Sequence, residues 1–366
     1  MVRFHLLSRT RQITESSCGA CALHAVLSYW GKEVDEEELM RLLGTSAAVG
    51  TFPERIVQGV RSLGLEAEAR QDLTLDELRK VTDAGHPVIA LAQLWRSQSE
   101  SPETPEEDWD CGHYIVVLGV DDESVYFQDP YLRMGKGFVP RREFERHWHQ
   151  VMGGDHARHP KLMRLAIFIR GRKPAPAPAH RGASLPRLDL EKLGSLNLII
   201  TQFRGVLLPF DFMDRLRDIW GSEEVRPAAF VLVRKSAEGE ISAMEGGSLE
   251  EDEDAAEINA VLAAITSRSI GGPRRARVAA AVEAAASGDF GISVPEIRGI
   301  ANRLPPDHST IILLFENTWE RRLRAVVHEH GGEVLEQRLV PADQLTALAR
   351  DLAPGSGTDR PDGGVR

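Results

Sequence analysis

Apolar positions recur at helical spacing near the start of the chain. The segment 18–30 places five apolar residues on one stripe and is followed by Gly31, which favours a helix end. Ser16 and Ser17 stand directly before this segment, and their hydroxyls can cap a helix. The pattern therefore predicts a helix with Cys18 at its N-terminus.

The pattern continues as two more helices and then changes to strand. Apolar spacing predicts helices at 36–43 and 53–63, so the N-terminal lobe should be helical. A continuous apolar run at 88–91 predicts a buried strand. A polar loop rich in Ser, Glu and Pro follows at 97–110, and a loop of this kind beside a site can gate it.

Two runs rich in β-branched and aromatic residues, 113–120 and 124–128, predict an antiparallel hairpin. His113 lies eight residues before Asp121, and Asp129 lies eight residues after it. A turn near Asp121 would set the other two residues roughly opposite each other, and opposed residues share a sheet face. Their side chains are therefore expected to meet.

A Pro-Ala repeat divides the chain after a final strand predicted at 162–170. Alternating prolines at 173–180 cannot join a ladder or a helix and favour an extended spacer. We predict an α+β fold class with four regions: domain 1–172, linker 173–186, a second α+β domain 187–353, and a disordered tail 354–366. In the second domain the predicted strands are 196–202, 228–234, 240–244, 309–315 and 334–339, and the predicted helices are 209–220, 250–287, 318–330 and 341–352.

Composition narrows the classes of function. The 366 residues suit two domains, and 42% apolar content is ordinary for a globular chain. A formal charge of −11 without a long basic cluster argues against nucleic acid as a partner. No segment approaches the roughly 18 apolar residues of a membrane span, so no membrane insertion and a cytoplasmic location are expected. Three cysteines are too few for a disulfide framework.

The predicted position of Cys18 suits a nucleophile, because a helix N-terminus stabilises a thiolate. A neighbouring imidazole strengthens that effect, and a carboxylate on the far ring nitrogen fixes the tautomer. His113 and Asp129 meet this description. Gln12 lies six residues before Cys18, so its amide can point at a developing oxyanion together with the Cys18 N–H. Gly19 lets a substrate approach that backbone closely.

Three motifs carry a family resemblance over about residues 8–150. They are Gln-Ile-Thr-Glu-Ser-Ser-Cys-Gly-Ala at 12–20, Gly-His-Tyr-Ile-Val-Val-Leu-Gly at 112–119, and Tyr-Phe-Gln-Asp-Pro at 126–130. In this order and spacing they closely resemble the bacteriocin-processing, double-glycine leader peptidase family of the papain-like clan. The resemblance implies a papain-like cysteine peptidase domain with a helical lobe and an antiparallel sheet.

Several expectations follow from the resemblance. It implies that Cys18, His113, Asp129 and Gln12 act as nucleophile, base, orienter and oxyanion donor. We also predict that Gly19 and Gly112 bind the substrate. The expected substrate is a peptide or protein, cleaved after Gly-Gly or other small residues, and no cofactor or metal is expected. The second half resembles a bacterial family of unknown function, which supplies no chemistry and leaves that domain as a candidate surface for a partner protein.

Other interpretations of the same residues remain open. Cys18 can be a packed thiol at a helix end, and a peptidase-like fold can serve as a binding or scaffold module without turnover. Cys18, Cys21, Cys111 and His113 also supply four potential zinc ligands. A redox pair of Cys18 and Cys21 is disfavoured, because the strand expected before such a motif is missing.

Overall fold

The computed structural model describes residues 7, 12–93, 109, 112–131, 135–152, 161–172, 196–205, 225–246 and 294–332. Its helices are α1 (Cys18–Tyr29), α2 (Glu36–Leu43), α3 (Pro53–Ser62), α4 (Leu75–Asp83), α5 (Arg141–His147), α6 (Val294–Arg303) and α7 (Thr318–Glu329). Its strands are β1 (Glu66–Arg70), β2 (Val88–Gln93), β3 (Gly112–Val120), β4 (Ser124–Asp129), β5 (Gly135–Pro140), β6 (His149–Val151), β7 (Lys161–Met163), β8 (Ala166–Arg170), β9 (Leu196–Arg204), β10 (Val225–Lys235), β11 (Ile241–Gly246) and β12 (His308–Asn317). This mixture of helices and antiparallel sheet confirms the α+β class.

The three helices predicted for the N-terminal lobe are present, and local chemistry explains their bounds. At the start of α2 the Asp35 carboxylate accepts hydrogen bonds from the N–H groups of Glu37 and Glu38, and at its end Gly44 has a φ of 65°. Pro53 opens α3, where its missing N–H has no cost. Sequence pattern alone thus located these elements to within a residue.

Ten strands form one antiparallel sheet among the described residues, in the order β1-β8-β2-β3-β4-β5-β11-β10-β12-β9. Alternate residues of β3 enter two separate cores on opposite faces of this sheet. Tyr114 and Val116 pack with α1 and its neighbours, whereas Ile115 and Val117 pack against α4 and α5. Helices therefore cover both faces around the strand that carries His113.

The single strand predicted at 162–170 is wrong. Arg164 has a φ of 48°, in the left-handed region that a strand does not use, and the chain divides there into β7 and β8. β7 pairs with β6 in a separate ribbon, and β8 pairs with β1 and β2 in the main sheet. One residue with an unusual backbone conformation thus sends two short strands to different partners.

The second half joins the main sheet along the edge of β5. Ala243 of β11 pairs with Phe138, and Met244 pairs with Gly137. The guanidinium of Arg298 on α6 lies 5.3 Å from the centre of the Phe138 ring, and it also donates to the Ser124 hydroxyl at 3.1 Å. Strand pairing and a cation–π contact therefore hold this seam together.

The division of the chain into compact units falls at a different place from the domain boundary predicted at the linker. The chain divides into two compact units, Met1–Thr318 and Trp319–Arg366. The linker 173–186 and the tail 354–366 lie outside the described residues, as do the predicted elements at 209–220, 250–287, 334–339 and 341–352. Division into domains 1–172 and 187–353 therefore stays a prediction. Within the described ranges, every helix is too short or too polar to serve as a transmembrane segment.

Candidate active site

Cys18 begins α1, and its side chain is buried with 8% of its surface exposed. The prediction that Ser17 caps this helix is wrong, because the hydroxyl bonds to Thr14 instead. It accepts from the Thr14 N–H and donates to the Thr14 carbonyl, each at 3.1 Å. The Ser17 side chain therefore accepts from none of the first-turn N–H groups, whose partial positive charge lies at the helix end that carries Cys18.

The hairpin of β3 and β4 brings His113 and Asp129 onto one face of the sheet. Val116 pairs with Gln128, and one further step of this register sets Asp129 opposite Ile115. His113 and Asp129 are therefore diagonal neighbours and not directly opposite, because a bulge in β3 and a later turn shift the predicted register. Since the shift is two residues, the two side chains still share a face.

The Asp129 carboxylate holds the His113 ring. Its Oδ1 lies 2.8 Å from His113 Nε2 and also accepts from the Tyr131 N–H at 2.8 Å, and the Asp129 side chain is fully buried. Because Nε2 is the ring nitrogen that faces the carboxylate, Nδ1 is the nitrogen left for the thiol. The carboxylate thus fixes both the tautomer and the orientation of the imidazole.

Cys18 has a lowered pKa despite its burial. Burial disfavours the thiolate and by itself raises the pKa of Cys18. A hydrogen bond from His113 and the charge of that ring oppose burial, a hydrogen bond from the Tyr114 N–H adds to them, and together they lower the pKa below its ordinary value of 9.0. The surroundings of this buried sulfur therefore favour its ionised form.

His113 shifts in the opposite direction. Burial lowers the pKa of His113, but the charge and hydrogen bond of Asp129, followed by the contacts with Cys18, raise the pKa to about 10. A lowered thiol pKa beside a raised imidazole pKa favours the thiolate–imidazolium pair near neutral pH. The structure thus brings together the side chains of Cys18, His113 and Asp129, whose roles as nucleophile, base and orienter stay predictions.

Gln12 lies at the start of the loop that leads into α1. Its side-chain Nε2 donates to the carbonyls of Thr14 at 3.1 Å and Glu15 at 3.3 Å, and its backbone N–H donates to Pro130 at 3.1 Å. The side chain is 8% exposed, and its Oε1 has no hydrogen-bond partner among the described residues. Both amide hydrogens are therefore engaged within the loop.

Packing accounts for both glycines that were predicted to contact substrate. A Cβ added to Gly19 would lie 3.0 Å from Thr51 Cβ and 3.1 Å from Tyr114 Cδ2, so its absence lets α1 approach β3. A Cβ added to Gly112 would overlap the Gln150 side chain. Contact of either glycine with a substrate stays a prediction.

Tyr114 and Tyr131 contribute to the site although the sequence did not single them out. Tyr114 supplies an N–H to Cys18, and its hydroxyl donates to the Thr51 carbonyl at 2.9 Å. Burial raises the pKa of Tyr114 well above its usual range, so the phenol stays protonated. The sequence signal that could have identified Tyr114 is its position directly after His113. The hydrogen bond from the Tyr131 N–H to Asp129 depends on how the chain turns after Pro130, which the sequence pattern does not show.

Among the described residues, His, Cys, Asp and Glu side chains form no group of three that could hold a metal ion. The zinc alternative also needs Cys111, which lies outside the described residues. Cys18 and Cys21 are both reduced and buried.

Comparison with known proteins matches residues 7–152 to the Peptidase C39 family. The pediocin PA-1 transport/processing ATP-binding protein PedD of Pediococcus acidilactici is 26% identical over 143 residues, covering 39% of this chain and 17% of that protein. The transport/processing ATP-binding protein ComA of Streptococcus pneumoniae is 27% identical over 138 residues, covering 37% of this chain and 17% of that protein. The chain thus spans about a sixth of the length of these curated relatives.

An uncharacterized protein of Methanothermobacter marburgensis is 30% identical over 136 residues, covering 37% of this chain and 79% of that protein. Similar solved structures include a double glycine motif protease from an AMS/PCAT transporter in complex with the leader peptide. Its TM-score is 0.33 and its sequence identity is 20%, and the match covers 47% of this chain and 94% of that chain. A C39-like peptidase from Bacillus anthracis has a TM-score of 0.33, 21% identity, and coverage of 45% and 94%. Through residues 7–152, the chain belongs to the Peptidase C39 family.

Proposed function

We propose that this protein is a cysteine peptidase in which Cys18 is the nucleophile, His113 the acid and base, and Asp129 the orienting group. One observation carries the proposal: the His113 ring bonds to Asp129 at 2.8 Å through one nitrogen and hydrogen-bonds to the Cys18 thiol. Membership of a peptidase family supports the reaction type. Assignment of roles to individual residues rests on the geometry and on the motifs.

The chemistry begins with the thiolate–imidazolium pair. The Cys18 thiolate attacks the scissile carbonyl carbon, a C–S bond forms, and the carbonyl oxygen becomes an oxyanion. As the C–N bond breaks, the His113 imidazolium gives its proton to the leaving amine. Water then attacks the thioester, His113 takes a proton from it, and the C–S bond breaks to release the acid and restore the thiolate.

The oxyanion would be stabilised by the Cys18 N–H and the Gln12 amide. In the substrate-free arrangement that amide donates to Thr14 and Glu15, so a rotation of the side chain has to precede its role. The rotation breaks no hydrogen bond at Oε1, which lacks a partner among the described residues. We therefore propose that substrate binding completes the oxyanion hole.

The proposed substrate is a peptide or protein with Gly-Gly or other small residues before the scissile bond. This choice rests on the resemblance of the motifs at 12–20, 112–119 and 126–130 to the double-glycine leader peptidase family and not on a pocket. We propose that the second half selects or positions the substrate, since all three triad residues precede residue 172. A reducing compartment such as the cytoplasm would keep Cys18 as a thiol.

Two measurements on the full chain test the proposal: intact mass after brief iodoacetamide treatment at pH 6, and cleavage of a peptide library that includes Gly-Gly sequences. We expect a single adduct, cleavage after small residues, and loss of both in Cys18→Ser. A rapid single adduct without cleavage would favour the binding-module alternative. Equally fast labelling of another cysteine, or no labelling, would remove the chemical basis of the peptidase.

A further inference from the structure

Residues 12–17, here called the oxyanion loop, connect Gln12 to the nucleophile. Most of the hydrogen bonds described for this loop are internal, between Gln12, Thr14, Glu15 and Ser17. The Ser17 carbonyl accepts from the Cys21 N–H at the start of α1, and two backbone N–H groups of the loop donate to more distant parts of the fold. The Gln12 N–H donates to the Pro130 carbonyl at 3.1 Å, and the next N–H along the chain donates to a side chain on α2.

That side chain is Glu36, whose Oε1 accepts from the Ile13 N–H at 3.2 Å. Glu36 is the first residue of α2, and Asp35 already caps the helix by accepting from the two following N–H groups. The Glu36 carboxylate is therefore not needed for capping and is free to reach back to the loop. Its neighbour Glu37 is exposed and has no such contact among those described.

The face of α1 toward Glu36 is polar. Ser17, Cys21 and His24 follow one another at spacings of four and three residues, which places them on one helical stripe. All three side chains lower the pKa of the Glu36 carboxylate, and His24 does so through its charge. Glu36 thus contacts both the loop and the helix that the loop enters.

Burial is the largest influence on this carboxylate, and it raises the pKa of Glu36. The hydrogen bond from the Ile13 N–H acts in the opposite direction by stabilising the ionised form. A half-buried acceptor that is partly stripped of water holds an N–H more firmly than an exposed one does. The Ile13 bond should therefore restrict the backbone immediately after Gln12.

We propose that Glu36 is a positioning residue that fixes the oxyanion loop through Ile13, so that the Gln12 amide reaches the oxyanion when it rotates. This inference rests on the proposed function and deepens it. Glu36 touches neither the substrate nor the reacting atoms. Its effect should appear in steps that need the oxyanion hole and be absent from steps that need only the Cys18 thiolate.

The test compares Glu36→Ala, Glu36→Gln and the matched control Glu37→Ala in the full chain. Three rates or constants are measured for each: alkylation of Cys18 by iodoacetamide, hydrolysis of a Gly-Gly peptide, and inhibition by N-acetyl-glycyl-glycinal, whose hemithioacetal oxygen occupies the oxyanion position. We expect Glu36→Ala to lower kcat about 10-fold to 100-fold and to weaken binding of the aldehyde about 10-fold. The reason is that a small displacement of the Gln12 amide from the oxyanion position is costly.

Alkylation should stay within about twofold of wild type in all variants, because it needs the thiolate and not the oxyanion hole. Glu36→Gln should recover most of the activity, since an amide oxygen can also accept from the Ile13 N–H. Unchanged kcat in Glu36→Ala would overturn the inference, as would an equal fall in alkylation. If wild type neither cleaves the peptide nor binds the aldehyde, the proposed function fails and this inference falls with it.

Discussion

The backbone N–H of Gln12 donates a 3.1 Å hydrogen bond to the carbonyl of Pro130. Pro130 directly follows Asp129, the residue that holds the His113 ring. The loop entering α1 and the turn leaving β4 are thus joined by one bond that no side chain mediates. A substitution in the loop is therefore expected to affect the turn, and the reverse. Thiol reactivity and turnover have to be measured separately to distinguish an effect on the loop from an effect on the turn.

The pH dependence of Cys18 alkylation tests the thiolate–imidazolium pair. Because the folded pKa of Cys18 is lowered from 9.0, alkylation should persist below pH 9 and decline only as pH falls through that lowered pKa. In His113→Ala, burial is no longer opposed by the imidazole, so the midpoint should move above 9.0. Alkylation rates between pH 4 and about pH 10.5, read by intact mass, check both profiles. Superimposable profiles would refute the pairing.

Asp129→Asn should reduce turnover less than His113→Ala does. An amide oxygen can still accept from His113 Nε2 and the Tyr131 N–H, whereas no other group described at the site replaces the imidazole. We expect turnover to fall about 10-fold to 100-fold in Asp129→Asn and about 10³-fold or more in His113→Ala. Hydrolysis at matched folded fraction provides the comparison.

The same Asp129→Asn variant should also shift the basic limb of the pH–activity profile to lower pH. The charge of Asp129 is the main cause that raises the pKa of His113 to about 10, so its removal should move the loss of the imidazolium to lower pH. Equal losses of turnover in Asp129→Asn and His113→Ala would mean that the carboxylate does more than orient the ring. A basic limb that stays near pH 10 would contradict the assigned cause.

Gln12→Ala should separate oxyanion stabilisation from thiol activation. Loss of one oxyanion donor lowers kcat by about 10²-fold to 10³-fold in comparable sites. Alkylation of Cys18 should remain close to wild type, because the groups that lower the pKa of that thiol are His113 and the Tyr114 N–H. Parallel measurement of peptide hydrolysis and iodoacetamide labelling decides the matter. If labelling falls together with kcat, Gln12 supports the loop and not the oxyanion.

A chain ending at Arg172 should keep a reactive Cys18, because the triad precedes that point. It should also be less soluble than the full chain, since removal of β11 exposes the edge of β5 and the ring of Phe138. Arg298→Ala in the full chain is the matched control, with an expected loss of about 1 kcal/mol of unfolding free energy and unchanged labelling. Labelling rates, size-exclusion profiles and melting curves provide the readouts. A soluble monomer would show that β5 tolerates a free edge, and an unreactive Cys18 would show that the site depends on the second half.

The residue contacts at the site were predictable because they depend mainly on local pattern. Helical spacing located Cys18 at the start of α1, and alternation within the hairpin put His113 and Asp129 on one face. The predicted register was nevertheless off by two residues, because the turn lies later in the chain than Asp121 and a one-residue bulge in β3 offsets only part of that shift. An even error preserved the face and therefore the contact, whereas an error of one residue would have separated them.

Features that depend on distant or backbone-specific contacts were not predictable. Pairing of β5 with β11 joins residues about a hundred positions apart, and nothing in the local pattern of Phe138 identifies Ala243 as its partner. The left-handed conformation of Arg164, which divides β7 from β8, likewise has no signal in the local sequence pattern. The engagement of the Gln12 amide with Thr14 depends on loop geometry that the six-residue spacing does not determine.

The order of strands in the main sheet sets a minimum contour length for the connection between the two halves. β8 and β9 are consecutive along the chain, yet eight strand positions separate them across the sheet, which is about 38 Å at 4.8 Å per position. Residues 171–195 connect them and can extend to about 80 Å. Deletions that leave fewer than about 12 residues would make the crossing impossible within one molecule. To keep the pairing of β5 with β11, such chains would have to place β11 on the β5 of another copy, so linker length should decide whether the two halves pair within one chain or between copies.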